Sequence, residues 1–214
     1  MEKKNIDNNK RNSKYNNIKN KNNMQKFINI FVCKFLFHVK YFGLENLGNY
    51  NKFLICPNHS SIFDAFFIYP VSTNLNIMAK SELFNYKLLA KIFKKYNVFP
   101  VNRNTKDPKS LIHSLEIFNT TNHTELLIFP EGKVIKDENE IGKVAKKGPT
   151  FISAKLQIPI IPCYITRRPH IFSKVSVTFG KAIQMEESLL NNKKDLVCKS
   201  KELINSIYEI KDLN

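Results

Sequence analysis

From residue 50 onward, short apolar runs recur between stretches of helical spacing. "FLIC" (53–56), "LNIMA" (75–79), "NVFPV" (97–101), "ELLIF" (125–129), "IPIIPCYI" (158–165) and "KVSVTF" (174–179) have the length and apolar content of strands. Residues 61–71, 82–96, 107–120 and 147–156 have helical length and periodicity, and residues 193–210 read as a closing helix. Strands this apolar, alternating with helices, predict an α/β class: a single layered domain with a largely parallel central sheet flanked by helices. The prolines of "IPIIPCYI" suit an edge or a bend of that sheet. Residues 133–148, "KVIKDENEIGKVAKKG", are polar throughout and predict a long loop of functional length.

The chain before residue 43 has a different pattern. Residues 24–42, "MQKFINIFVCKFLFHVKYF", place Ile28, Phe31, Val32, Phe35, Leu36, Val39 and Phe42 on one helical face. Lys26, Asn29, Lys34, His38 and Lys40 fall on the other half and interrupt the run too often for a free membrane span. This predicts an N-terminal amphipathic membrane-surface helix, with an ordinary docking helix as the alternative. Residues 1–23, rich in Asn and Lys, read as a disordered basic tail, and no signal peptide is expected behind so polar a start. The organisation expected is therefore a tail at 1–23, a membrane-associating helix at 24–42 and one domain at 43–214.

The formal net charge of +16 calls for an anionic partner: a membrane surface, a phosphorylated substrate or nucleic acid. No helix-turn-helix, zinc-finger or aromatic RNA-binding signature accompanies the charge, so no nucleic acid is expected, and a basic binding module remains the non-enzyme alternative. Cys33, Cys56, Cys163 and Cys198 lie far apart with no metal-binding spacing. They are expected to be buried free thiols of a reducing compartment, and no metal is expected.

Four stretches carry candidate chemistry. "NHSSIFD" (58–64) joins the strand at 53–56 to the following helix and holds His59 and Asp64. A histidine in the loop with a carboxylate in the first turns of the helix can form a base and its orienting partner. A capping turn with a partly exposed histidine is the alternative. "IFPEGK" (128–133) ends another strand, where Pro130 and Gly132 force a tight turn and Glu131 is the only acid. Glu131 either holds a substrate hydroxyl or an arginine, or is solvated. "FPVNRN" (99–104) sets Arg103 at a third strand end, where a guanidinium suits phosphate. "KKGPTFISAKLQIPIIPCYI" (146–165) joins a basic turn, a helix and a buried strand.

In this order the four stretches resemble the glycerolipid acyltransferase family, most closely the 1-acyl-glycerol-3-phosphate acyltransferases, which carry NHxxxxD, a strand-end arginine, FPEG and a VPIIPV-like strand. "MAKSELF" (78–84) and "VAKKGPTF" (144–151) are similar to family segments too, so the resemblance spans roughly residues 40–181. It implies acyl transfer from a thioester, acyl-CoA or acyl-carrier protein, to the sn-2 hydroxyl of lysophosphatidic acid, without a resident cofactor and at the cytoplasmic face of a membrane.

In that reading His59 is the base, Asp64 holds it, and donors for the oxyanion come from the helix start after His59. Arg103 binds the phosphate, Glu131 and Gly132 position the glycerol, and Lys133 lies beside them; Lys80, Lys146 and Lys147 are further candidate contacts. Two departures bear on the substrate. Lys133 replaces the usual Thr after FPEG, and "VNR" replaces an aspartate-arginine pair. Glycerol 3-phosphate, another lysophospholipid and tafazzin-like transacylation remain alternatives.

Overall fold

The computed structural model describes residues 23–102 and 108–213. Asn23–Phe27 (α1) continues as a wider, π-helical segment, Ile28–Leu36, before the first strand. The order is then β1 (His38–Phe42), β2 (Lys52–Pro57), α2 (Asp64–Ile68), β3 (Leu75–Lys80), α3 (Lys87–Lys95), β4 (Val98–Val101) and α4 (Pro108–Thr120). After these come β5 (Thr124–Leu127), α5 (Gly148–Leu156), β6 (Ile160–Ile165), β7 (Lys174–Phe179) and α6 (Lys193–Glu209).

The seven strands form one sheet in the order β1-β7-β6-β2-β5-β3-β4, parallel at every pair except β6–β7. The central strands β2, from Phe53 on, and β6 are apolar because both faces are covered. In β2, Phe53 and Ile55 join a core with Phe37, Phe67 and Val177, while Leu54 and Cys56 join a second core with Phe118, Ile152 and Leu203. The period of two thus feeds two cores from one strand. β6 has neighbours on both sides, so it is not an edge; Pro159 precedes it, and Pro162 lies just before the β7 pairing that begins at Cys163, its carbonyl accepting from Gly180 N.

The expected helix over 24–42 is corrected. It stops at Leu36, and His38–Phe42 is an edge strand parallel to β7. Val39 and Tyr41 turn inward while His38, Lys40 and Phe42 are exposed, a two-residue alternation inside a run that also fits helical spacing. Phe37, fully buried with its ring 5.0 Å from Phe63 and 5.1 Å from Phe67, fixes the change of direction. The wheel face divides as well. Ile28 is in the core and Val32 and Leu36 pack against it, whereas Phe31 and Phe35 are exposed with Phe27 and Ile30. Of the tail expected at 1–23, residues 1–22 lie outside the described residues, as does Arg103, while Asn23 begins α1. Cys33, Cys56 and Cys163 are buried free thiols; Cys198 is free but exposed, on the outer side of α6.

At the N-terminal end of β5, Glu125 is wholly buried and its Oε1 accepts from Thr73 N (3.0 Å), Thr73 Oγ1 (2.7 Å) and His123 Nε2 (2.9 Å). Burial pushes this carboxyl up, but the bonds from His123 and Thr73 outweigh it and hold the group below its ordinary value. Glu125→Ala leaves Thr73 N without its acceptor and removes one bond each from Thr73 Oγ1 and His123 Nε2, which keep each other. It is expected to destabilise the domain by about 2–4 kcal/mol, read by denaturant unfolding. The depressed folded value sets the sign: the contribution is complete above the usual glutamate range and is lost as pH falls through the folded value. The stability gap to the variant should therefore narrow in acid.

Candidate active site

β2 and β5 are parallel neighbours, so the two turns that leave their C-terminal ends, "NHSSIFD" and "FPEG", meet at one edge of the sheet. Asn58 fixes the first turn by imitating a strand residue. Its Nδ2 donates to Ile165 O (3.0 Å) and its Oδ1 accepts from Ile165 N (2.7 Å), which continues the β2–β6 pairing by one step.

His59 follows, with its Nδ1 2.9 Å from Asp64 Oδ2. The same oxygen accepts from Ser60 N (2.8 Å) and Ser61 N (2.9 Å), so the chain folds back around a buried carboxylate at the start of α2. With Nδ1 facing a carboxylate, the proton belongs on Nδ1 and Nε2 is left as the basic nitrogen. Among the described residues Nε2 has no hydrogen-bond partner, and the side chain keeps 11% of its surface exposed. The imidazole lies on the Phe129 ring, 3.8 Å between centroids and 22° from parallel.

Glu131 is also buried. Its Oε2 accepts from the His59 N–H (2.7 Å) and its Oε1 from the Tyr208 hydroxyl (2.7 Å). Burial pushes the Glu131 carboxyl up from its ordinary range, opposed by the Tyr208 and His59 donors. Burial and then the bond to Glu131 push the Tyr208 phenol up too, so Tyr208 remains a donor at neutral pH. Glu131 is thus not solvated, and both its oxygens are engaged by the protein. Gly132 turns with φ +71°, and a Cβ there would meet Lys146 Cε at 2.7 Å. Its N–H closes the turn onto Phe129 O (3.0 Å), so Gly132 shapes the turn with a donor already in use.

The structure brings together His59, Asp64, Glu131 and Gly132. Lys133 follows them in the turn, but its half-exposed ammonium pairs with Glu140 at 2.9 Å, and Lys80 likewise pairs with Glu82. For Arg103, only the approach is described: β4 is parallel to β3 and ends on the same side of the sheet. The expected oxyanion donors are largely spoken for, since the N–H groups of Ser60 and Ser61 serve Asp64, that of Phe63 serves the Ser61 hydroxyl and that of Asp64 the Ser61 carbonyl. The Ser60 hydroxyl accepts from Arg168 N (3.1 Å). Among the described residues no cluster of three or more His, Cys, Asp or Glu side chains could hold a metal ion.

Sequence reasoning missed Tyr208, which reaches Glu131 from α6 across 77 residues of chain. It also missed Arg167, whose Nη2 donates to Ile135 O (3.2 Å) beside the site. A phenol on a closing helix carries no motif. The "RR" after β6 was the one available signal for the arginine.

The chain around this site has counterparts among known proteins. The acyltransferase family model matches residues 38–166, and the chain belongs to that family. It is similar to the 1-acyl-sn-glycerol-3-phosphate acyltransferase of Bacillus subtilis (strain 168), 28% identical over 127 residues, which span 58% of this chain and 60% of that enzyme. The chain therefore matches less than two thirds of that relative's length. Its fold is similar to that of the 1-acyl-sn-glycerophosphate (LPA) acyltransferase of Thermotoga maritima, with a TM-score of 0.64 at 22% identity, covering 87% of this chain and 78% of the other.

Proposed function

We propose that the protein transfers an acyl group from a thioester, acyl-CoA or acyl-carrier protein, to the sn-2 hydroxyl of 1-acyl-sn-glycerol 3-phosphate, giving phosphatidic acid. The observation that carries this reading is the buried His59–Asp64 pair with Nε2 left unpartnered beside the FPEG turn. In the reaction, His59 Nε2 takes the hydroxyl proton as the alkoxide oxygen attacks the thioester carbonyl. Asp64 holds the Nδ1 proton and stabilises the imidazolium that forms. The C–S bond then breaks, and the thiolate leaves with the proton from Nε2. The new ester and a free thiol are the products, so no acyl-enzyme is needed. Glu131 acts as a positioning residue: it holds the His59 backbone from one side while Asp64 holds the ring from the other. Arg103 is assigned to the acceptor phosphate. The similarity to the Bacillus subtilis enzyme supports this acceptor over others.

The protein meets its substrate at a membrane surface. Exposed Phe27, Phe31 and Phe35 stack along one ridge, and Phe172, from the β6–β7 connection, packs edge-on against Phe35. Ile30 and Ile171 add to the exposed apolar surface of the same two segments. β6 is parallel to β2, so its connection to β7 leaves the same end of the sheet as His59. Among the described residues no helix is long and apolar enough to cross a membrane. An apolar ridge on a basic protein suits the headgroup region of anionic lipid. Phe31→Glu/Phe35→Glu should lower binding to vesicles containing anionic lipid by about tenfold or more, with melting unchanged. Wild-type binding by this variant would remove the ridge from the account. Truncation before residue 43 is a poor substitute, because it deletes β1 from the sheet.

The activity itself is tested with a panel of lysolipid acceptors and glycerol 3-phosphate, each with acyl-CoA and acyl-carrier protein, following products by mass. Phosphatidic acid from lysophosphatidate is the expected major product. Transfer to a different acceptor would reassign the substrate, and no acylated product from any pair would overturn the reading.

A further inference from the structure

We propose that Arg167 is a specificity-determining residue that holds a phosphate group of a bound substrate. The inference deepens the acyltransfer reading and rests on it. Arg167 lies two residues beyond β6, in the connection that leaves the sheet beside His59. Its Nη2 donates to Ile135 O (3.2 Å), and the Ile135 N–H donates to His59 O (2.7 Å), so the guanidinium and the His59 backbone are anchored to the same residue. The next residue is held as well: Arg168, in the left-handed region at φ +50°, donates its N–H to Ser60 Oγ.

Within this fixed frame Arg167 is half-buried as a residue, but its Nε and Nη1 are shut off from solvent and have no hydrogen-bond partner among the described residues. Charged donors held away from water without an acceptor are disfavoured. The nearby acid whose field it feels, Glu131, forms no ion pair with it and is committed to the His59 N–H and to Tyr208. Lys133, in the FPEG turn itself, differs, since it pairs with Glu140 at the surface. The missing partner of Arg167 is therefore an anion with several acceptor oxygens, brought in by the substrate. A phosphate ester fits the planar donor array. It can come from the acceptor, whose phosphate is one carbon from the reacting hydroxyl carbon, or from the nucleotide part of acyl-CoA.

Full-length wild type, Arg167→Gln and Arg167→Lys decide it. With 1-acylglycerol 3-phosphate, Arg167→Gln should raise KM by about 10- to 100-fold with a much smaller change in kcat, and Arg167→Lys should recover part of the loss. Rates with 1-acylglycerol and an acyl N-acetylcysteamine thioester, a pair without any phosphate, should be the same in wild type and variants. A KM increase seen for acyl-CoA but absent for an acyl N-acetylcysteamine thioester would assign the phosphate to the donor. Unchanged KM values, or equal losses with phosphate-bearing and phosphate-free substrates, overturn the proposal. If the wild type transfers no acyl group, the acyltransfer reading falls on its own, and equilibrium binding of 1-acylglycerol 3-phosphate against 1-acylglycerol in detergent micelles still tests Arg167. Loss in Arg167→Gln of the preference for the phosphate form, or of binding to CoA, supports the proposal, and both unaltered overturn it. Should Arg167→Gln fail to fold, Arg167→Lys carries the comparison, because it keeps the charge and loses the planar donors.

Discussion

His59→Ala should lower kcat for acyl transfer by about a thousandfold or more while the protein remains folded. The geometry separates the two effects. The His59 backbone N–H, which Glu131 accepts at 2.7 Å, survives the substitution, as does the bond from Ile135 N to His59 O. Asp64 Oδ2 keeps its donors from Ser60 and Ser61, so the buried carboxylate is not stranded. What goes is one ring stacked on Phe129 and one hydrogen bond to Asp64, a stability loss of about 1–3 kcal/mol. Activity and stability should therefore change on very different scales. If His59 merely caps a turn, the purified variant retains activity within a few-fold of wild type. That result would exclude it as the base. Melting temperature and initial rate on the same preparation distinguish these outcomes.

The strands were legible because one buried on both faces reads as an apolar run, as in "FLIC", and a partly covered one as alternation, as in "KVSVTF". "FLIC", "LNIMA" and "KVSVTF" all lie within the observed β2, β3 and β7. "ELLIF" overran β5 by two residues, since Ile128 and Phe129 stay apolar while leading into the turn and onto His59. The helix at 24–42 failed at its end for a definite reason: Val39 and Phe42 continue the helical face by accident of spacing. Pairing with β7, some 136 positions away at His38↔Lys174, decides the matter. No local pattern reports a partner so distant.

The candidate site divides along the same line. His59 and Asp64 are five residues apart, and the loop between them suffices to bring them together, so "NHSSIFD" carried its own geometry. Their approach to FPEG depends on β2 and β5 being neighbours, which is a property of the strand order. Glu131 was legible as a residue but not as a contact. Its partners are a backbone N–H and a phenol 77 residues on, where Tyr208 sits among the apolar and polar positions of an ordinary amphipathic helix. Arg167 belongs to the same class: its setting is made by Ile135 and Glu131, from a different loop.

Asp64→Asn should reduce kcat by about 10²- to 10⁴-fold, nearly as much as loss of His59, although it changes one atom. The three donors to Asp64 converge on a single oxygen, Oδ2, while Oδ1 is buried without a partner. An asparagine can present its carbonyl where Oδ2 stood and keep all three bonds, with the amide nitrogen at the Oδ1 position. The fold of the loop and the proton on Nδ1 are then preserved, and only the negative charge behind the imidazole is lost. Because the charge matters most when the ring is protonated, the loss falls on the transition state and appears in kcat more than in KM. Asp64→Ala, by contrast, leaves Ser60 N, Ser61 N and His59 Nδ1 without an acceptor in a buried loop, and should lower stability along with activity. Nitrogen-15 NMR of the His59 ring tests the distinction: Nδ1 should remain the protonated nitrogen in Asp64→Asn. If Asp64→Asn is as active as wild type, the carboxylate serves the loop alone and the charge has no part in the reaction. If its ring tautomer switches to Nε2–H, orientation of the base is the larger effect, and the rate should fall with the fraction of Nδ1–H that remains.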